Sequence, residues 1–102
     1  MTPWSVRPAT TSEIDRIAQV WFEGWHEAHA HLVPADLTRI RTLESFAERL
    51  HPMLPGIRVI GEPGAPLGFC ALKDDELYQM FVSRDARGSG AAAALMADAE
   101  AR

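Results

Sequence analysis

Cysteine is nearly absent. Cys70 is the only one in 102 residues, which removes an intramolecular disulfide framework and a multi-cysteine zinc site from consideration and fits a reducing compartment. Long hydrophobic runs are missing as well. No window approaches the roughly 18 apolar residues of a membrane span, and Met1-Thr2-Pro3-Trp4 is not a basic region followed by an apolar one, so a soluble, cytoplasmic protein is expected. Nor is there an excess of positive charge. Ten Lys and Arg against fourteen Asp and Glu leave a net charge of -4 with no run of like charges, which argues against nucleic-acid or anionic-membrane partners and means that any anionic ligand must be held locally. Repeats, low-complexity tracts and compositional breaks are also lacking. With 47% hydrophobic and 24% charged residues, the chain reads as a single globular domain over 1–102.

Regular elements can be placed from periodicity and punctuation. Residues 5–8 close on Pro8 and suit an edge strand. Thr10 and Glu13 have capping-box spacing, and Ile14, Ile17, Ala18, Trp21, Phe22 and Trp25 recur at helical intervals, predicting a helix from about Thr11 to about Ala28. After Pro34, the positions Leu37, Ile40, Leu43, Phe46, Ala47 and Leu50 restore that period up to Pro52 and Pro55. Residues 58–62 and 67–72 are rich in strand formers around the turn 63–66, so a hairpin is expected. Residues 76–82 read as a central strand, with Leu77, Gln79 and Phe81 on one face and Tyr78, Met80 and Val82 on the other. A polar loop, 83–90, and an alanine-rich helix, 91–102, follow. The order is β-α-α-β-β-β-α, an α+β arrangement.

The loop carries the chemistry. A strand that runs through glycines into a helix N-terminus presents unpaired backbone amides in one direction, reinforced by the helix dipole, and makes an anion cradle. Gly88 and Gly90 let the backbone approach a phosphate, Ala91 and Ala92 keep the first turn small, and Arg87 can add a charged fork. The alternative is a solvated loop whose glycines only make a turn. The segment is not a P-loop, because it lacks the Gly-Lys-Ser/Thr ending, and it lacks the early strand and ribose-binding acid of a dinucleotide site.

Residues 76–82 followed by Arg87-Gly88-Ser89-Gly90-Ala91-Ala92 resemble the acetyl-CoA-binding motif of the GNAT (GCN5-related) N-acetyltransferases, Arg/Gln-x-x-Gly-x-Gly/Ala. Arg87, Gly90 and Ala92 fill the three specified positions. The order of the preceding elements resembles that family too, so the likeness covers all 102 residues and implies a GNAT-like fold with a mixed, mostly antiparallel sheet. It also implies that acetyl-CoA is the acetyl donor. The amides of Arg87, Gly88, Ser89, Gly90, Ala91 and Ala92 would then hold its pyrophosphate, and Met80, Phe81 and Val82 would pair with its pantetheine arm beside a bulge, a form of β-augmentation. The family continues beyond this helix with further strands, a helix and often a tyrosine that protonates the thiolate. Tyr78, the only tyrosine, does not match that position. A chain truncated on its C-terminal side is therefore expected, one completed in a longer chain or by a second copy in a homodimer.

Acetyl transfer to an amine needs a neutral amine, a route for its proton and donors for the developing oxyanion. By spacing, Glu76 resembles the general base of the family's histone acetyltransferases; the alternative is a solvated surface charge. The backbone amide near Val82 would be the oxyanion donor. His26, His29 and His31 crowd the end of the first helix, but Glu27 is misplaced for a His-Glu-x-x-His zinc site, and no metal is expected. The resemblance instead places Trp25, His29 and His31 at the acceptor pocket, against the alternative of a solvated helix end. Cys70 suits a small core position, and His51 a helix C-terminus. Two functions stand: an acetyl-CoA-dependent N-acetyltransferase acting on a primary amine of a small molecule, protein or peptide by direct attack, or a non-catalytic CoA-binding or dimerisation module.

Overall fold

Thr10 and Glu13 begin the first helical segment as their spacing predicts: Thr10 N donates to Glu13 Oε1 at 3.0 Å, and Glu13 N donates to Thr10 O at 3.0 Å. In the computed structural model, which describes residues 4–29, 42–73 and 76–101, a 3-10 turn at Thr11–Glu13 leads into helix α1, Ile14–His29. Ile14, Ile17, Ala18 and Trp21 are buried along one stripe, as the period of 3.6 requires. Against them lies α2, Leu43–Leu50, through Phe46 and Leu50, with the Trp21 and Phe46 rings 4.6 Å apart. Thr42 caps α2, its Oγ1 accepting from Ser45 N at 3.1 Å. The earlier part of that expected helix, 37–41, is outside the described residues. A 3-10 turn, His51–Gly56, ends the segment where Pro52 and Pro55 remove helical donors.

Four strands form one sheet in the order β1-β2-β3-β4: β1 Val6–Pro8, β2 Ile57–Ile60, β3 Gly68–Lys73 and β4 Glu76–Val82. Every pair is antiparallel, so the mixed sheet of the sequence reading is antiparallel throughout among the described residues. There β4, read as a central strand, pairs only with β3 and forms an edge. Helices α1 and α2 cover one face with Val59, Phe69 and Ala71. The last helix, α3, Ala91–Ala101, covers the other through Ala91 and Leu95 against Ile60 and Cys70. The α+β order predicted from the sequence is the observed one.

The faces of β4 differ from a simple alternation. Ala71 pairs with Gln79 but Leu72 pairs with Leu77, a register shift that leaves Tyr78 as the extra residue of a β-bulge. Beyond the bulge the parity inverts. Leu77 shares the face of its partner Leu72, the α3 side, and Tyr78 turns to the α1–α2 side, where its hydroxyl accepts from Arg49 Nη2 at 3.1 Å. Both residues are therefore on the opposite faces from those expected.

Candidate functional site

The bulge lies just before the stretch that matters. Phe81 points toward α1, stacked on Phe69 at 6.1 Å, and it fits a notch at Gly24, where a Cβ would lie 2.4 Å from Phe81 Cδ1. Met80 and Val82 face α3. Their backbones have a different orientation. Alternate residues of an antiparallel strand turn their N–H and C=O groups to the same neighbour, and Ser83 N donates to Leu67 O at 2.7 Å. With Phe81 opposite Phe69 and Gln79 opposite Ala71, those two residues hydrogen-bond to β3, and the polar groups of Met80 and Val82 point to the open edge.

After β4 the chain makes a 3-10 turn, Arg84–Ala86, and then the glycine turn. Gly88 and Gly90 have φ of +78° and +91°, conformations that L side chains rarely adopt, and no atom lies within 4 Å of where a Cβ on either would stand. The first amide of α3 to find a backbone acceptor is that of Ala94, bonded to Gly90 O at 3.0 Å. Those of Gly90, Ala91, Ala92 and Ala93 have no acceptor among the described residues, the usual state of a helix N-terminus. Ser89 is held from two directions: its hydroxyl donates to Ala86 O, and its carbonyl accepts from Trp4 Nε1 at 3.0 Å.

Arg87 is not free. Its Nη1 and Nη2 donate to Glu27 Oε1 and Oε2 at 2.7 and 3.1 Å, and Arg84 Nη2 reaches Glu27 Oε2 at 3.3 Å. The Arg87 hydrogen bonds first, then those of Arg84, hold the Glu27 carboxyl at about 2, well below its usual range. Glu27 stands in the last turn of α1, where the helix dipole disfavours an anion, and the two guanidiniums offset that cost. Glu27 and the two guanidiniums sum to one positive charge, with Asp85 in the same turn, and three of the five Arg87 N–H donors stay available.

These parts meet in a cleft of about 410 Å3, lined by Met80, Phe81, Val82, Arg87 and Ala92 from the expected site and by Gly24, Glu27 and Ala28 from α1. A second groove, of about 750 Å3, runs on the other side of the Glu27–Arg87 pair between α1 and the turn at Ser83, Arg84 and Asp85. Of the other expected site residues, Gly88, Ser89, Gly90 and Ala91 form the adjoining turn without lining the cleft, and Glu76 and Trp25 do not line it either. Glu76 is exposed at the start of β4, opposite Lys73, and does not line it. Trp25 is half-buried against Phe46, their ring centroids 6.2 Å apart. His29 is the last residue of α1, but its side chain and all of His31 lie outside the described residues. The α1 contribution was missed in the sequence, although two signals exist: a glycine inside a helical core stripe, and an acid at the wrong end of a helix dipole.

Solved structures of similar shape include several N-acetyltransferases. The chain superimposes on a PaiA N-acetyltransferase of Thermoplasma acidophilum in complex with coenzyme A with a TM-score of 0.77 at 13% identity, covering 98% of this chain and 71% of that one. Apo-form YjaB of Escherichia coli gives 0.74 at 22% identity and coverages of 96% and 65%. A GCN5-related N-acetyltransferase of Rhodopseudomonas palustris gives 0.73 at 20% identity and coverages of 99% and 65%. No family model matches the sequence, and neither does any curated protein. The fold is that of the GNAT N-acetyltransferases, and the chain spans 65% of the length of YjaB and of the R. palustris protein.

Proposed function

We propose that this chain binds acetyl-CoA across the open edge of β4 and the start of α3, and that it belongs to an N-acetyltransferase that passes the acetyl group to a primary amine. The observation that carries this reading is the row of amides at Gly90, Ala91, Ala92 and Ala93 without acceptors, at the end of a cleft whose wall is the unpaired backbone of Met80 and Val82. Donors at the turn suit a diphosphate, and an alternating donor and acceptor edge suits the amides of a pantetheine arm. The open space over Gly88 and Gly90 leaves room for the phosphates. A solved structure of this fold holds coenzyme A, which adds to the fit. The bound thioester would supply an activated acetyl group.

The chain's own residues do the rest. Backbone groups of Met80 and Val82 orient the arm, the turn amides and the free donors of Arg87 neutralise the diphosphate, and the amide near Val82 faces the reacting end. Glu76, which does not line the cleft, is assigned as the proton acceptor through intervening water. Trp25, His29 and His31 are assigned to the amine side. A cytoplasmic setting fits a chain whose one cysteine, Cys70, is a buried core residue, and the open edge of β4 fits pairing with a second copy.

Incubation with acetyl-CoA and an amine panel, read as free CoA thiol, tests the activity, and calorimetry with CoA tests the site. Micromolar CoA binding with thiol release is expected of the acetyltransferase; binding without release identifies a CoA-binding module. An absence of CoA binding removes both. Gly90→Val should abolish binding, because its Cβ stands where the phosphates would lie. At φ +91° it should also lower stability by about 1–2 kcal/mol.

A further inference from the structure

Ser89 O lies one residue before Gly90 O, the carbonyl that accepts the first helical bond of α3, and its donor comes from the far end of the chain: Trp4 Nε1, at 3.0 Å. Trp4 lies just before β1, the strand at the opposite edge of the sheet from β4. Its half-buried ring crosses the α3 face to pack on the cluster that includes Ala86, Ala91 and Leu95. The bond acts on more than the carbonyl. In a planar trans peptide the C=O and the following N–H point in opposite directions, so a donor that fixes Ser89 O also fixes the Gly90 N–H, aimed away from Trp4.

That constraint matters because of Gly90. A peptide preceding a glycine can turn over at little steric cost, since no Cβ obstructs either orientation. The two orientations are opposites for an anion. One presents the Gly90 N–H to the open side of the turn, and the other presents the Ser89 carbonyl oxygen, which repels a phosphate. Contacts from elsewhere in the chain do not decide between them: apart from the adjacent residues, no atom lies within 4 Å of the position a Cβ on Gly90 would take, and its amide has no acceptor among the described residues.

We propose that Trp4 is a positioning residue for the anion cradle, its indole N–H holding the Ser89–Gly90 peptide so that the Gly90 amide faces the diphosphate of the coenzyme. The role rests on the coenzyme reading above. It couples the strand at one edge of the sheet to ligand binding beyond the other.

Trp4→Phe keeps the aromatic packing and deletes the donor, and benzothienylalanine at position 4 keeps the bicyclic shape as well. In the free protein the Gly90 amide resonance should move in both variants, because a hydrogen bond on a carbonyl polarises the N–H of the same peptide. CoA affinity should fall about three- to ten-fold, the worth of one neutral hydrogen bond, while affinity for S-acetylpantetheine, which lacks the diphosphate, stays unchanged. Equal losses for both ligands with a lowered Tm in both variants would make Trp4 a packing residue only and overturn the proposal. So would CoA affinity within two-fold of wild type, with the coenzyme reading left standing. A wild-type chain that binds no CoA defeats the coenzyme reading itself and this role with it.

Discussion

Glu13 is a full charge held at 2% exposure, and its surroundings show why it is tolerated. Arg7 donates to both carboxylate oxygens at 2.9 and 2.6 Å, Thr10 N to one at 3.0 Å and Gly64 N to the other at 3.0 Å. These bonds join β1, the start of α1 and the β2–β3 turn. The Arg7 hydrogen bond leads in holding the carboxyl at about 2, against an ordinary value of 4.5. Because the folded pKa is depressed, this stabilisation is complete above about pH 4.5 and is lost as the pH falls toward 2, about 3 kcal/mol in all. Glu13→Gln leaves the Arg7 charge unpaired and should cost about 3–5 kcal/mol in urea unfolding at pH 7. A loss under 1 kcal/mol would mean that water already reaches the pair.

Glu27 has the same depressed pKa but a different position, half-exposed at the mouth of the cleft. It remains an anion beside the cradle at any pH near neutrality, in competition with a phosphate for Arg87. Glu27→Gln should therefore tighten CoA binding a few-fold at low salt, an advantage that shrinks at 0.5 M salt, where screening extends over only about 4 Å. Arg87→Ala should weaken binding by about 1–2 kcal/mol, as for a charge-assisted contact that backbone amides partly replace. Weaker binding in Glu27→Gln would show instead that the carboxylate holds Arg87 in its working position.

At the scale of elements, α1 and β4 meet at Gly24 and Phe81. A Cβ at position 24 would stand 2.4 Å from Phe81 Cδ1, so Gly24→Ala should cost about 1–3 kcal/mol through overpacking, despite the better helix propensity of alanine. Adding Phe81→Leu should return part of that loss, and the double-mutant cycle by thermal unfolding measures the coupling. Additive losses would show that the helix moves away from the strand as a body. The same junction marks where the sequence stops being legible. The α1 stripe, the Thr10 and Glu13 start, the hairpin and the glycine turn were all readable, because each depends on neighbours within a few residues. Gly24, Glu27 and Trp4 were not, because their partners lie about 60 to 85 positions along the chain and only the folded sheet brings them together. The faces of Leu77 and Tyr78 were misread for a related reason: a bulge adds one residue to a period of two, and although the family resemblance implies a bulge in this strand, nothing in 76–82 marks the residue at which it falls.

For the molecule as a whole, the open edge of β4 sets two equilibria against each other. The outward N–H and C=O groups of Met80 and Val82 can pair with a ligand arm or with a strand of another copy, but not with both, and Leu77 and Tyr78 add exposed apolar surface at 46% and 38%. A domain of about 100 residues buries only some 60–65% of its unfolded surface, so either partner contributes a substantial share of its stability. Self-association and coenzyme binding should then be linked with opposite sign. Light scattering behind size exclusion should show a dimer that grows with concentration in the micromolar range and dissociates when CoA is added, and Met80→Pro, which removes one outward donor from the edge, should weaken both. A dimer unaffected by saturating CoA would place the contact elsewhere. A monomer at high micromolar concentration without CoA would show that solvent alone satisfies the edge.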